Sequence, residues 1–418
     1  MRIVNKKDLI LKRQKFNTRF KNEDMDFTFN WMIGISQVIG MSPSQVFNAV
    51  NDVKDGDPKG WVKGFGSLGQ FQVEHAKKFT DNNQILASGH AYLAAAYAFR
   101  ASIQYCDVTS TDFAKYIQQM ESSFQKGVAK LDIPVHSVEV PFEHTTLPGY
   151  FLKQNNVDGP TIMMVGGGDT FREDLFYFAG YPGWKRGYNV LMVDLPGQGK
   201  MPTRGQHFRV DMDIAITTVL DWLEENASLK NDQIAIYGVS GGGYFSAQAV
   251  VSDPRIKGWI ASTPITDIAE MFRREFGNVL KAPGWMMNSA MKIAGSFSAS
   301  TNISLKKYAW QFGDANFKKA VDRVLIEAKP IDIHSITCPS LFLMGEGEGE
   351  ELKRQTLKLY DFLREMGVDV TLREFTAEEG ADAHCQVNNL RLAHLIVFDW
   401  LDHLFERESS VLDNRTLY

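Results

Sequence analysis

The sequence predicts an α/β fold with a mostly parallel central sheet, and three observations carry that reading. From about Asp132 onward, short apolar runs of strand length alternate with stretches of helical spacing, the pattern of a parallel sheet covered by helices. Gly238-Val239-Ser240-Gly241-Gly242 lies between one such run, Ile234 to Tyr237, and a stretch of small residues suited to a helix. The residues before Asp132 have helical texture without sustained alternation.

At 418 residues the chain exceeds the length at which one core stops growing, about 250–300 residues. Two domains are expected: a helical N-terminal lid over 1–131, and a catalytic domain over 132–408 with a helical cap inserted at about 264–337.

In the N-terminal part, Phe27, Phe29, Trp31, Met32, Ile35 and Ile39 are dense enough to bury, and Ser42-Pro43-Ser44 is a helix start. Gln84 to Ala101 carries alanines, leucines and aromatics suited to close helix packing. His75 and His90 fall on these helices and are expected to pack rather than react. Val138, Val140 and Phe142 alternate with polar residues, and Leu147 to Leu152 follows, which predicts a leading hairpin.

Strands are then expected at Thr161 to Val165 and Ile234 to Tyr237, apolar runs of the kind buried in a covered parallel sheet, and at Tyr188 to Val193, Ile256 to Ser262, Pro339 to Met344 and Val368 to Phe375. A helix over Asp211 to Asn226 precedes the serine strand, and another over Leu390 to Phe405 closes the fold. Met271, Phe272, Phe276, Trp285, Met286, Met287 and Trp310 give the insertion its apolar character.

The chemistry is expected at the turn that carries Ser240. G-x-S-x-G places glycines two before and two after the serine, so strand and helix can approach across a sharp turn that lifts the hydroxyl clear of the sheet. Such a hydroxyl needs a base within hydrogen-bond reach and donors for the oxyanion.

His384 lies on a loop between the last strand and the last helix, where a base can reach that serine, and is the expected base. The orienting acid is expected on the Gly345 to Glu351 loop: Glu348 first, then Glu350 and Glu346, with Asp267 as a further candidate. Asp267 and Glu270 are also candidate acids or substrate contacts in the cap, Glu270 as a proton donor to a carbon leaving group. Gly166-Gly167-Gly168 leaves a buried strand, and the N–H groups of Gly168 and Gly241 are the expected oxyanion donors.

Other chemistries are excluded by their patterns. Gly199-Lys200 is followed by Met201 where a phosphate loop needs Ser or Thr, and the glycine triplet does not meet the dinucleotide fingerprint. The 45 basic and 50 acidic residues give a formal charge of −5 without a basic block, so nucleic acid is not an expected partner.

Cys106, Cys338 and Cys385 fit neither a disulfide framework nor a metal site, and no metal or cofactor is expected. The N-terminus lacks a signal-peptide core, and no stretch reaches ~20 uninterrupted apolar residues, so a cytoplasmic protein with no membrane partner is expected. The partner is expected to be a small molecule or short peptide, with homodimerisation left open.

Taken together, Gly166-Gly167-Gly168-Asp169-Thr170, Asp194-Leu195-Pro196-Gly197-Gln198-Gly199, Gly238 to Gly242 and His384 resemble the α/β-hydrolase superfamily. Within it the chain looks like the group with a helical N-terminal domain that includes 2,6-dihydroxypseudooxynicotine hydrolase, the FrsA-type esterases and fungal polyketide-shortening hydrolases. The catalytic part also resembles prolyl oligopeptidases and acylaminoacyl-peptidase-like proteins.

The resemblance implies an α/β-hydrolase fold and acyl-enzyme chemistry on an ester, an amide or a ketone carbon–carbon bond. An exopeptidase is the alternative enzyme, and a non-catalytic binding protein of the same fold is the alternative of another class. Glutamates stand on the acid loop where this superfamily more often has aspartate.

Overall fold

The computed structural model describes residues 12–154, 159–227, 233–276, 299–314 and 316–407. Eight strands form one sheet: β1 (Val135–Phe142), β2 (Thr145–Leu152), β3 (Thr161–Val165), β4 (Asn189–Val193), β5 (Ile234–Val239), β6 (Ile256–Ser262), β7 (Ser340–Gly345) and β8 (Val370–Phe375). Their order is β1-β2-β4-β3-β5-β6-β7-β8, with β2 antiparallel to both β1 and β4 and the six strands β3 to β8 mutually parallel. The predicted hairpin turns between Phe142 and Thr145.

β3, β4 and β5 are buried along their whole length because both faces of the sheet are covered, and only Thr161 and Asn189 at their starts are polar. Ile162 and Met164 enter one buried cluster, while Met163 and Val165 enter the other, following the two-residue period of a strand.

The N-terminal helices are α1 (Glu23–Ile35), α2 (Pro43–Ala49), α3 (Pro58–Asp81), α4 (Ile85–Gln104) and α5 (Thr111–Lys130). Ser42 caps α2 as its sequence suggests, exchanging hydrogen bonds with Gln45 in a capping box. These helices also pack onto the sheet: Phe29, Trp31, Trp61 and Tyr97 share one buried cluster with Tyr150, Ile162, Val190 and Phe398. Whatever covering role they have, they also supply core.

Past β3 the chain makes α6 (Arg172–Leu175), a π turn at Phe176–Gly180 and α7 (Tyr181–Lys185). α8 (Met212–Ala227) and α9 (Gly242–Ser252) flank β5 in sequence. In the insertion, α10 (Ile268–Phe276), α11 (Ala299–Phe312) and α12 (Phe317–Glu327) are helical as expected. Trp285, Met286 and Met287 lie outside the described residues, as does the side chain of Phe276. α13 (Glu350–Glu365) and α14 (Leu390–Leu404) complete the fold. No described helix is long and apolar enough to cross a membrane.

The loops that leave the carboxyl ends of β3, β5, β6, β7 and β8 carry Gly166 to Asp169, Ser240, Thr263, Glu348 and His384 respectively. In a parallel sheet these ends share one edge, so five segments far apart in sequence converge there.

Candidate active site

Ser240 follows β5 directly and adopts φ +55°, a left-handed conformation uncommon for a residue with a side chain. Its neighbours have to be small. A Cβ on Gly238 would stand 2.3 Å from the carbonyl oxygen of Gly242, and one on Gly242 would stand 2.2 Å from that of Val165. The Ser240 N–H donates to the Ser262 carbonyl at 2.7 Å, tying the turn to the end of β6.

Ser240 Oγ lies 2.9 Å from His384 Nε2, and His384 Nδ1 lies 3.2 Å from Glu348 Oε1. The Glu348 side chain is fully buried, and the Thr263 hydroxyl donates to its carboxylate. His384 is held from behind as well, its backbone N–H donating to the Arg13 carbonyl at 2.7 Å. The imidazole is pushed above its ordinary value: burial opposes its protonation, but contact with Cys385 and with the Glu348 carboxylate outweighs that.

The other acidic candidates are occupied elsewhere. Glu346 pairs with Lys15 and accepts the Ala377 N–H at 3.0 Å, while Glu350 is 87% exposed and pairs with Lys353. Asp267 caps α10 by accepting the Glu270 N–H at 2.7 Å. Glu270 pairs with Arg274 at 2.6 Å and with Arg273 at 3.4 Å. Neither Asp267 nor Glu270 lines the cavity described below, so the structure does not bring these two to the serine.

The glycine loop meets the turn. A Cβ on Gly167 would come within 2.6 Å of Ser240 Cβ and 2.8 Å of the Gly241 nitrogen. Among the described residues, no protein acceptor takes the N–H of Gly168 or of Gly241. These are the two donors expected from the sequence, and they lie beside Ser240. The loop is fixed from outside by the Thr170 hydroxyl on the Gly167 carbonyl at 3.1 Å and by Gln311 on that of Gly168.

Ser240, Gly168, Gly241 and His384 open onto a cavity of about 380 Å³. Its wall is largely aromatic and aliphatic, with Phe27 and Trp31 from α1, Phe208 and Phe245, and Met271, Phe272 and Tyr308 from the insertion.

Most charges in the wall are matched; Glu327, at its exposed rim, has no ion-pair partner among the described residues. Asp24 pairs with Arg13 and accepts the Tyr105 hydroxyl at 2.8 Å and that of Ser304 at 3.1 Å. Asp169 pairs with Lys307 at 2.8 Å and accepts the Tyr308 hydroxyl at 3.1 Å. Burial alone would raise the Asp169 carboxyl, but Lys307, Arg13 and Arg100 hold it well below the usual carboxylate range. Asp211 pairs with Arg209 at 2.7 Å.

Arg13, Asp24 and Thr263 escape sequence reasoning, because nothing in their local pattern differs from a surface charge or a strand-end hydroxyl. Phe27 and Trp31 are recognisable as buried, but not as cavity wall. His75 packs against Phe71, away from the cavity, and its Nδ1–H donates to the Phe71 carbonyl at 3.0 Å. Cys385, next to His384, is buried and donates to the Ser262 carbonyl at 3.0 Å.

A mostly parallel sheet with a serine turn at its edge, helices on both faces and a helical insertion above defines the class: the chain is an α/β-hydrolase. Residues 153–375, more than half of its length, match the model of the X-Pro dipeptidyl-peptidase (S15) family, and the chain belongs to that family.

An α/β hydrolase of Penicillium citrinum is 26% identical, covering 93% of this chain and 97% of its own. The 20-hydroxy-prefusarin hydrolase of Gibberella moniliformis is likewise 26% identical, over 94% of this chain and 99% of its own. Among solved structures, that of 2,6-dihydroxy-pseudo-oxynicotine hydrolase superposes with a TM-score of 0.62 at 20% identity, covering 89% of this chain and 96% of that one. The fold resemblance expected from the motifs, helical N-terminal part included, is therefore shown.

Proposed function

We propose that this hydrolase acts through a serine nucleophile and an acyl-enzyme on an uncharged, largely apolar small molecule, cleaving an ester, an amide or a ketone carbon–carbon bond. The observation that carries the reading is the hydrogen-bonded series from Ser240 Oγ through His384 to buried Glu348, with the glycine loop alongside. In this mechanism Ser240 attacks a carbonyl carbon while His384 Nε2 takes its proton. The N–H groups of Gly168 and Gly241 receive the oxyanion, and His384 then passes the proton to the leaving group. Glu348 holds the imidazole in the tautomer this requires and stabilises its cation. Water, activated by His384, resolves the acyl-enzyme.

The aromatic wall and its internally paired charges support an uncharged substrate, since a charged group placed there would lose its hydration without gaining a free counter-ion. The full-length relative named for 20-hydroxy-prefusarin supports a small organic molecule. Reaction with a fluorophosphonate probe, and its loss in Ser240→Ala, tests the nucleophile. Full labelling of that variant moves the chemistry elsewhere.

The S15 family match favours a second reading, an exopeptidase acting on short or blocked peptides. A free peptide amine would need an available carboxylate in the cavity, yet Asp24, Asp169 and Asp211 are already paired and Glu327 faces solvent. Release from X-Pro or acyl-peptide chromogenic substrates at rates above those of short esters selects this second reading.

A further inference from the structure

Before α1 the chain runs as a strap past the acid and base loops, and one residue of it, Arg13, touches Glu348, His384 and the end of the glycine loop at Asp169. The Arg13 backbone forms an antiparallel bridge with Glu348. Its carbonyl accepts the N–H of His384 at 2.7 Å. Two residues on, the Lys15 N–H donates to Asp382 Oδ2 at 2.8 Å, on the loop that carries His384. A Cβ on Gly347 would stand 2.5 Å from the Lys15 nitrogen, so that loop accepts the strap only because it has a glycine there.

The Arg13 side chain points the other way, into the cavity wall. Its guanidinium pairs with Asp24, lies 4.0 Å from the Phe27 ring centroid and reaches within 4.0 Å of Asp169, the residue after Gly168. The Phe27 ring stands 6.4 Å from that of His384. Asp26 anchors the strap's far end, accepting the N–H groups of Thr18, Arg19 and Phe20 at 2.6 to 2.8 Å.

We propose that Arg13 is a positioning residue for the reaction: its peptide sets His384 and Glu348 in register, and its paired guanidinium locks that peptide against the glycine loop. The proposal rests on the serine mechanism above. A general base is effective only within a narrow range of distance and angle, and a displacement of about 1 Å costs on the order of 10²-fold in rate. The strap adds a main-chain hydrogen bond and a largely buried ion pair to the constraints on His384.

The test compares Arg13→Ala, Arg13→Lys and Gly347→Ala in the full chain, by fluorophosphonate labelling rate, steady-state turnover of a short and a long acyl ester, and thermal melting. Arg13→Ala is expected to slow labelling and kcat by about 10²-fold, by the same factor for both esters, with little change in KM. Arg13→Lys keeps a cation for Asp24 and is expected to recover most of the rate. Gly347→Ala changes no reacting side chain but pushes the strap away, and is expected to reproduce the loss.

Undiminished labelling in folded Arg13→Ala overturns the proposal. So does a loss confined to KM for the long ester, which would make Arg13 a substrate contact. If Arg13→Ala does not fold, a folded Gly347→Ala with the wild-type labelling rate overturns it. A wild-type chain that never labels sinks the serine mechanism instead, so the two failures are distinguishable.

Discussion

The two sides of the cavity are built by different means. On the sheet side, Ser240, Gly168, Glu348 and His384 sit on loops that leave adjacent strands, and the ladder of β3, β5, β6, β7 and β8 sets their spacing. On the opposite side, Arg13, Asp24, Phe27 and Trp31 come from a strap and a helix with no strand between them. They are placed by a buried ion pair, hydroxyl donors from Tyr105 and Ser304, and aromatic contacts. Backbone pairing tolerates almost any side chain, whereas the ion-pair wall depends on particular ones. Substitutions on the sheet side, and at Arg13 whose peptide reaches the loops of Glu348 and His384, should therefore change the rate of bond cleavage, and those at Phe27 and Trp31 should change what is bound.

The largest effect expected is at Ser240. Ser240→Ala should abolish fluorophosphonate labelling and lower turnover by at least about 10⁴-fold, leaving whatever the oxyanion donors and binding supply. Measurement of acyl release by the variant checks this, and residual turnover within tenfold of wild type would break the division between the two sides.

Next comes the choice among three glutamates in one short run. Glu348→Gln keeps the shape but favours the wrong imidazole tautomer, and should cost about 10³ to 10⁴-fold in kcat. Glu346→Gln and Glu350→Gln remove only exposed ion pairs, worth about 0 to 1 kcal/mol, and should stay within a few-fold of wild type.

The same variant carries a pH signature. Wild-type His384 is raised above its ordinary value by Cys385 and Glu348 against the opposing effect of burial. The neutral, base-competent form therefore accumulates only as pH rises through that raised value. The acid limb of kcat/KM should lie on the alkaline side of about 6.5, the ordinary value for imidazole. Removing the Glu348 charge leaves burial less opposed, so the limb should move to lower pH. A pH–rate profile with the limb unmoved in Glu348→Gln would separate Glu348 from the base.

These comparisons also mark how far the sequence could be read. The strands from β3 to β7 are visible as apolar runs because both faces of the sheet are buried there, whereas β8, at the sheet's edge, is partly exposed and mixes Thr371, Arg373 and Glu374 with its apolar residues. Ser240 and the Gly166 to Gly168 loop are visible because the backbone there tolerates no Cβ, and evolution can meet that requirement only with glycine at fixed spacing. His384 follows from its place between the last strand and the last helix. Glu348 could be ranked first in its run, ahead of Glu350 and Glu346, but nothing in the sequence fixes that order. What separates them is burial beneath Thr263, a contact between residues 85 apart in sequence. Arg13 and Asp24 left no such trace: a salt bridge is invisible until folding brings its partners to the same wall.

A smaller effect is expected at Gly167, and it tests how closely the two glycine segments must approach. A methyl group there would meet Ser240 Cβ and the Gly241 nitrogen, so the loop must withdraw and carry the Gly168 N–H with it. Loss of one oxyanion donor costs about 10² to 10³-fold in kcat, and Gly167→Ala should fall in that range with KM little changed. A normal kcat, measured on a short ester, would mean that the loop is not a donor.

The smallest effect belongs to the helical side. Trp31 is buried, lines the cavity and packs near Phe178. Trp31→Phe keeps an aromatic ring while removing the area of the second one. At about 25 cal/mol per Å², the loss of a few tens of Å² of contact corresponds to about 1 kcal/mol, or several-fold in affinity. KM for a bulky aromatic ester should rise by that factor, while a short acetyl ester that never reaches α1 should be unaffected and kcat should hold for both. If instead kcat falls equally for the two esters, Trp31 acts on the geometry of His384 through Phe27 and Arg13. The helical side would then belong to the machinery of bond cleavage as fully as the sheet edge does.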